Sequence, residues 1–261
     1  VVIQVACFFT CGYTEAGTMQ LFLKKINNAC DFVQCLPNKT RKRKGESKSI
    51  RNEYNGLSGK ALLERVCTIL RKYRNEADIS CCQAVLIEDD LDGRFHDCAD
   101  GEVNAYREGA IRRIHACLGR NVPVIFLYAS PEIEAWFLAD WEKSFQYVYE
   151  NKRFVEDLSM TERRRFLHHL RQFIFSNLLG DYRDDLETYG WVENKYVKLS
   201  DQLQDAVSSV ALQQAAGIQS RHLYYSKKRH GEIMLREIRP SIVAEKCRRY
   251  FLQGYETLRN L

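Results

Sequence analysis

The sequence predicts an α/β protein whose mostly parallel sheet is flanked by helices and followed by a C-terminal helical subdomain. Three observations predict it. Four short runs, at 1–9, 31–37, 82–88 and 122–129, are rich in β-branched and aromatic residues and alternate with segments of helical periodicity. The first, third and fourth are almost continuously apolar, as strands covered on both faces are. From about residue 141 such runs cease and helical patterns take over.

Taken in order, VVIQVACFF (1–9) is the first buried strand. A Gly-containing turn leads to a helical pattern over 15–28 with Met19, Leu21, Phe22, Leu23 and Ile26 as its apolar residues. DFVQCLP (31–37) is a second strand ended by Pro37, and the polar, basic stretch 38–58 is an exposed loop. A helix over 59–75 follows, with Leu62, Leu63, Val66, Ile69 and Leu70 at helical spacing. CQAVLIE (82–88) is the third strand, 101–119 a helix, and VPVIFLYA (122–129) the fourth strand. SPEIEAWFLAD (130–140) opens another helix, with Pro131 suited to its first turn. This β-α-β-α-β-α-β order favours parallel pairing through helical crossovers. The segments 156–179 and 243–261 are the clearest helices of the C-terminal part, so residues 1–140 are expected to form the α/β domain and 141–261 a helical subdomain.

Composition restricts the function classes. With 261 residues, 45% hydrophobic and 28% charged, the chain has the balance of a globular protein, and a net charge of +5 is too small for a general nucleic-acid coat. Nothing approaches 18 consecutive apolar residues, so no membrane partner is expected. The ten cysteines include no C-x-x-C pair, and Cys81 adjoins Cys82. Structural zinc is therefore not expected, and a reduced, cytoplasmic setting is.

Carboxylates gather where three of the strands end. Glu15 follows the first strand, Asp89, Asp90 and Asp92 the third, and Glu132 and Glu134 the fourth. Parallel α/β sheets bind ligands at the carboxyl ends of their strands. Acids converging there repel one another unless a cation lies between them. Oxygen donors without a His or Cys set select Mg²⁺ or Mn²⁺.

The order strand–Gly–Glu–helix, then strand–D-x-D, resembles the TOPRIM (topoisomerase–primase) domain. SPEIEAWFLAD resembles the P-x-I-E-A-W-x-L-A-D signature of TOPRIM-like proteins found beside ATPases in bacterial anti-phage defence loci. It is more distantly similar to the nuclease half of overcoming-lysogenization-defect proteins. The resemblance covers about residues 1–140. Thr10-Cys11-Gly12-Tyr13-Thr14-Glu15 aligns with the family's hydrophobic–Glu–Gly–x–Thr–Glu motif, with Cys11 where the first Glu is usual. Asp90-Leu91-Asp92 matches the D-x-D motif, Asp89 offers a competing register, and Glu134 matches the signature glutamate.

The resemblance implies a Rossmann-like sheet and a Mg²⁺-dependent nuclease acting as a defence effector. Glu15, Asp90, Asp92 and Glu134 would be its catalytic residues, and these four with Asp89 its metal ligands. It further implies RNA (transfer RNA included) or DNA as substrate, and an ABC- or SMC-type ATPase as partner; homodimer formation is left open.

Phosphate contacts outside the acidic centre are expected from two basic clusters, Arg41, Lys42, Arg43 and Lys44, and Lys227, Lys228 and Arg229. Tyr224 and Tyr225 either stack on bases or pack between helices. Arg163–Arg165, with His168 and His169, are assigned to a helix surface. No Walker loop or G-x-S-x-G elbow is present, so ATP hydrolysis would belong to a partner. Two other readings compete: a TOPRIM-like interaction subunit without activity, and a primase- or topoisomerase-like enzyme.

Overall fold

Strand β1 (Ile3–Phe8) sits inside the sheet with β2 (Cys30–Leu36) on one side and β3 (Ala84–Asp90) on the other; β4 (Val124–Ala129) completes the order β2-β1-β3-β4. All three pairings are parallel, with Val5 opposite both Phe32 and Ala84, and Leu86 opposite Ile125. The computed structural model describes residues 2–10, 15–37, 56–95, 98–151, 153–155, 158–192, 195–214 and 223–261.

Because side chains alternate along a strand, each strand divides between two cores. Val5, Cys7, Leu86 and Leu127 face one side; Ala6, Phe8, Val85, Ile87, Phe126 and Tyr128 face the other. The second face is covered by α2 (Gly59–Tyr73) and α4 (Asp100–Leu118), with the single turn α3 (Ala77–Ser80) between them in sequence. On the first face lie α1 (Glu15–Ile26), α5 (Glu134–Ala139) and the C-terminal helices.

Those helices begin with a π-helical segment (Glu142–Gln146) that runs into α6 (Tyr147–Glu150). Next is α7 (Met160–Gln172), started by a capping box between Ser159 and Glu162 and extended by a second π-helical segment (Phe173–Leu178). After two 3₁₀ turns (Gly180–Asp184, Leu186–Thr188) and the hairpin β5 (Trp191–Val192) and β6 (Lys195–Tyr196) come α8 (Leu199–Gln214), α9 (Lys227–Glu237), α10 (Pro240–Lys246) and α11 (Phe251–Arg259).

One apolar cluster joins Val5 and Phe22 to Trp136, Phe166, Leu203 and Phe251, so the helical half shares a core with the sheet. Trp136 stacks on Phe22 at 5.4 Å and meets Phe251 edge-on at 4.8 Å. Helix α11 lies so close to β4 that a Cβ on Gly254 would strike the Phe126 carbonyl oxygen. No disulfide forms among the described cysteines.

The structure corrects four local expectations. Strand β3 starts at Ala84 and continues through Asp90, so Glu88, Asp89 and Asp90 are strand residues paired with Leu127, Tyr128 and Ala129. Acids are depleted in strands, which is why composition placed the end too early. Pro131 precedes α5 and follows a cis peptide bond from Ser130, rather than occupying the first helical turn. The C-terminal half contains the β5–β6 hairpin as well as helices. Arg163 is buried, donating to the Leu158 and Glu150 carbonyls, whereas Arg164, Arg165, His168 and His169 are exposed as expected.

Candidate active site

The chain passes from β1 outward to β2, then returns to place β3 on the other side of β1. The carboxyl ends of β1 and β3 therefore flank the sheet's topological switch point, where a crevice opens. Thr10, just after β1, fastens the two ends together. Its N–H donates to Glu88 Oε2 at 2.9 Å, and its hydroxyl accepts from the Asp90 N–H at 3.1 Å. Glu88 is fully buried, and this carboxylate braces the strand ends.

Asp89 points to the opposite face from Glu88 and Asp90, as strand alternation requires. Oδ1 accepts from the Gly59 N–H, the first residue of α2, at 2.8 Å, and Oδ2 pairs with Arg94 at 2.8 Å. Burial pushes the Asp89 carboxyl above its ordinary range, while Arg94 and the Gly59 N–H oppose that shift. Gly59 has φ of 58°, and a Cβ there would run into the Arg94 guanidinium, so glycine is required. Arg94 also donates to the carbonyls of Asp90 (2.6 Å) and Leu91 (3.0 Å). Asp89 is thus engaged in holding α2 and the loop after β3.

Asp90 and Glu134 converge on one cation. Lys227 Nζ, from the first turn of α9, lies 3.6 Å from Asp90 Oδ2 and 3.4 Å from Glu134 Oε2. Glu134 is 0% exposed at the start of α5, and its Oε1 accepts from the Tyr225 hydroxyl at 3.0 Å. Oε2 has no hydrogen-bond partner among the described residues. Tyr225 is itself buried, against Phe145 and His230. Burial and the Arg229 charge pull the His230 pKa down to about 4. The neutral imidazole accepts the Ser226 N–H through Nδ1 at 3.2 Å, fixing the segment that carries Tyr225 and Lys227.

A cleft of about 420 Å³ opens beside this pair, lined in part by Thr10, Ser58, Asp92, Glu132, Lys198 and Lys228. Asp92 sits in the turn after β3 with φ of 48°, a left-handed conformation that aspartate tolerates better than most residues. Its Oδ2 accepts from the Ser58 hydroxyl at 3.0 Å. Glu132 is buried and caps the start of α8, accepting from the Ser200 N–H at 3.0 Å and the Ser200 hydroxyl at 3.1 Å. Burial and then the charge of Glu134 raise the Glu132 pKa. The Tyr196 hydroxyl is buried without a hydrogen-bond partner among the described residues; burial and the charges of Glu132, Asp92, Asp90 and Glu134 hold it protonated.

The structure thus brings Asp90, Asp92 and Glu132 to one cleft, with Glu134 buried behind it against Lys227, and turns Asp89 away. Glu15 begins α1 after β1, but its side chain lies outside the described residues, as do Cys11, Gly12, Thr14 and the basic cluster Arg41–Lys44. The second basic cluster divides. Lys227 enters the acidic centre, Lys228 lines the cleft, and Arg229 stacks over Tyr224 and donates to its hydroxyl. Buried Tyr225 is engaged with Glu134 and is not available to stack on a base. Sequence reasoning missed the parts played by Thr10, Ser58, Arg94, Tyr196 and Ser200. Only Arg94 carried a local signal, a cation four residues after Asp90 at the end of an acidic run.

Asp90 and Glu134 fit a hard divalent ion in kind: two buried carboxylates already arranged around a positive charge. As the side chains lie, no group of three or more His, Cys, Asp or Glu among the described residues is placed to hold a metal ion. A larger cleft of about 840 Å³ is lined by Arg183, Asp184, Asp185, Lys246, Arg248 and Arg249, among others. Its charges are mixed, and none of its lining residues comes from a strand end. No helix among the described residues is long and apolar enough to cross a membrane. No protein-family model, curated protein or solved structure matches the chain.

Proposed function

We propose that the acidic cleft is the active site of a divalent-metal-dependent nuclease that hydrolyses phosphodiester bonds in RNA or DNA. The observation that carries this reading is the convergence of buried Asp90 and Glu134 on one cation beside the switch point of the sheet. Asp90 and Glu134 would hold the ion, with Asp92 and Glu15 as the further candidate ligands from neighbouring strand ends. When bound, Mg²⁺ or Mn²⁺ would polarise the scissile phosphate and stabilise the charge developing on its oxygens.

The chain's own residues supply the rest. Thr10 and Arg94 keep the β3 end rigid, so Asp90 is oriented before substrate arrives. Tyr225 holds Glu134 in one rotamer. Lys198 and Lys228 line the cleft and are suited to meet the flanking phosphates, Arg229 to extend that contact along the strand. The TOPRIM resemblance adds an anti-phage effector role and an ABC- or SMC-type ATPase partner to this proposal.

Incubation with end-labelled RNA and DNA in Mg²⁺ or Mn²⁺ tests it. Asp90→Ala and Glu134→Gln should each lower cleavage at least about a hundredfold, since even residues that only support metal ligands typically matter 10–100-fold. Undiminished cleavage by either variant would sink the assignment.

The alternative is an interaction subunit that keeps the fold without catalysis. Lys227 between the two acids, and no three-donor set among the described residues, favour it. It predicts partner or nucleic-acid binding that is indifferent to Mn²⁺ and to Asp90→Ala.

A further inference from the structure

We propose that the exposed face of α7, with the cleft of about 840 Å³ that adjoins it, is a binding surface for single-stranded nucleic acid. This cleft shares no lining residue with the acidic one, and the inference holds whether or not the acidic cleft is catalytic.

Helix α7 divides sharply at its 3.6-residue period. Phe166, Leu167 and Leu170 are buried in the core, while Arg164, Arg165, His168, His169 and Arg171 are all exposed. The only acid in the helix, Glu162, is taken up by the capping box, where it accepts from the Ser159 N–H at 2.7 Å. Arg164, Arg165 and Arg171 form no ion pair among the described residues. A solvated helix face gains from pairs of opposite charge four residues apart. Here Arg164 and Arg165 are followed at that spacing by His168 and His169, so no such pair forms. From Arg164 to Arg171 this acid-free face rises about 10 Å along the helix. It is complementary to a row of anions.

What adjoins the face identifies the partner. The Arg171 guanidinium lies 5.9 Å from the centre of the Phe175 ring, and Phe175 lines the larger cleft. Phe175 is half-buried and braced edge-on by Trp141 at 5.7 Å. An aromatic ring with a planar cation over it is the kind of surface on which single-strand binders stack bases. Asp184, Asp185 and Glu245 line the cleft as well, among its cations. They disfavour a phosphate there, yet can accept hydrogen bonds from the amino groups of bases. Phosphates would therefore lie along α7, with a base turned into the cleft. A bilayer fits less well. The apolar side of α7 is in the core, and Met160 at its start is the one exposed large apolar residue of the helix.

Fluorescence anisotropy of the full chain with labelled oligouridine, in EDTA and over a range of salt, tests the surface apart from any metal-dependent step. Replacing Arg164 and Arg165 together by Gln should weaken binding about tenfold. It should also lessen the slope of log affinity against log salt by about 1.4, the loss of two single-strand phosphate contacts. Phe175→Leu should weaken binding several-fold and leave that slope unchanged. Both arginines are exposed, so the double variant should keep the wild-type urea midpoint. Asp90→Ala should not weaken binding, so failure of this surface and failure of the acidic cleft read out separately. No binding by the wild type, or unchanged affinity and slope in the arginine variant, overturns the proposal. So does displacement by polyglutamate as effective as by unlabelled oligouridine, or binding to phosphatidylserine vesicles that the arginine variant loses; these would assign the face to an acidic peptide or a membrane.

Discussion

Asp89 gives one carboxylate oxygen to the first N–H of α2 and the other to Arg94, so its removal would strip a cap from a helix and leave a guanidinium without its buried partner. Asp89→Ala should therefore lower stability by about 3 kcal/mol in urea unfolding, while Mn²⁺ affinity stays near the wild-type value. Asp90→Ala should do the reverse, sparing stability relative to ion binding. A loss of Mn²⁺ binding in Asp89→Ala without loss of stability would contradict this division. The gathering of carboxylates at the strand ends was legible in the sequence, because each acidic group follows an apolar run. Which of them share a face was not, since parity depends on where β3 ends, and β3 carries its acids inside the strand. Lys227 was visible only as one cation in a basic run. Its meeting with Asp90 depends on α9 packing along α1, a contact that no local pattern encodes.

At the scale of elements, α11 starts on a carboxylate. Glu187, at 2% exposure, accepts from the N–H groups of Arg249 (2.6 Å), Tyr250 (3.1 Å) and Phe251 (3.0 Å). Burial nonetheless pushes its pKa up to about 7 from the usual 4.5, the three N–H groups opposing the shift. Between those values the folded chain holds more proton at this site than the unfolded chain does. Its contribution to stability is thus greatest below pH 4.5 and is lost as pH rises through 7. The stability of the wild type minus that of Glu187→Gln should fall by about 3 kcal/mol between pH 4.5 and 8, read from urea midpoints. The difference matters more than either profile, because His230, neutral when folded, gives the opposite slope at lower pH. Periodicity revealed helices such as α2 and α7, which have one face to bury. It did not mark out α8 or α9, and it ran α10 and α11 together as one segment over 243–261. It could not reveal the two-residue strands β5 and β6, nor a capping glutamate that belongs to no repeating pattern.

Across the whole molecule, the change of character near residue 141 was legible because strands and helices differ in period. The packing across that point was not, because apolar residues on either side look alike whether they share a core or not. At Gly254 the two halves meet closely: its missing side chain lets α11 rest on the β4 backbone. Gly254→Ala should cost about 3 kcal/mol. Far-UV circular dichroism and tryptophan fluorescence should still report one coincident urea transition, shifted to lower denaturant. Two separated transitions would mean that the shared core does not make the halves unfold together.

The placement of Lys227 and Tyr225 on the far side of that point also limits how such a molecule can be rearranged by recombination. A cassette ending near residue 140 would carry Asp90, Asp92 and Glu134 intact, yet deliver them without the lysine and the phenol that make their charge tolerable. Any replacement helical half would have to bring its own cation and its own hydroxyl to the same two oxygens. The two halves are therefore expected to be inherited as a matched pair, not traded as independent modules.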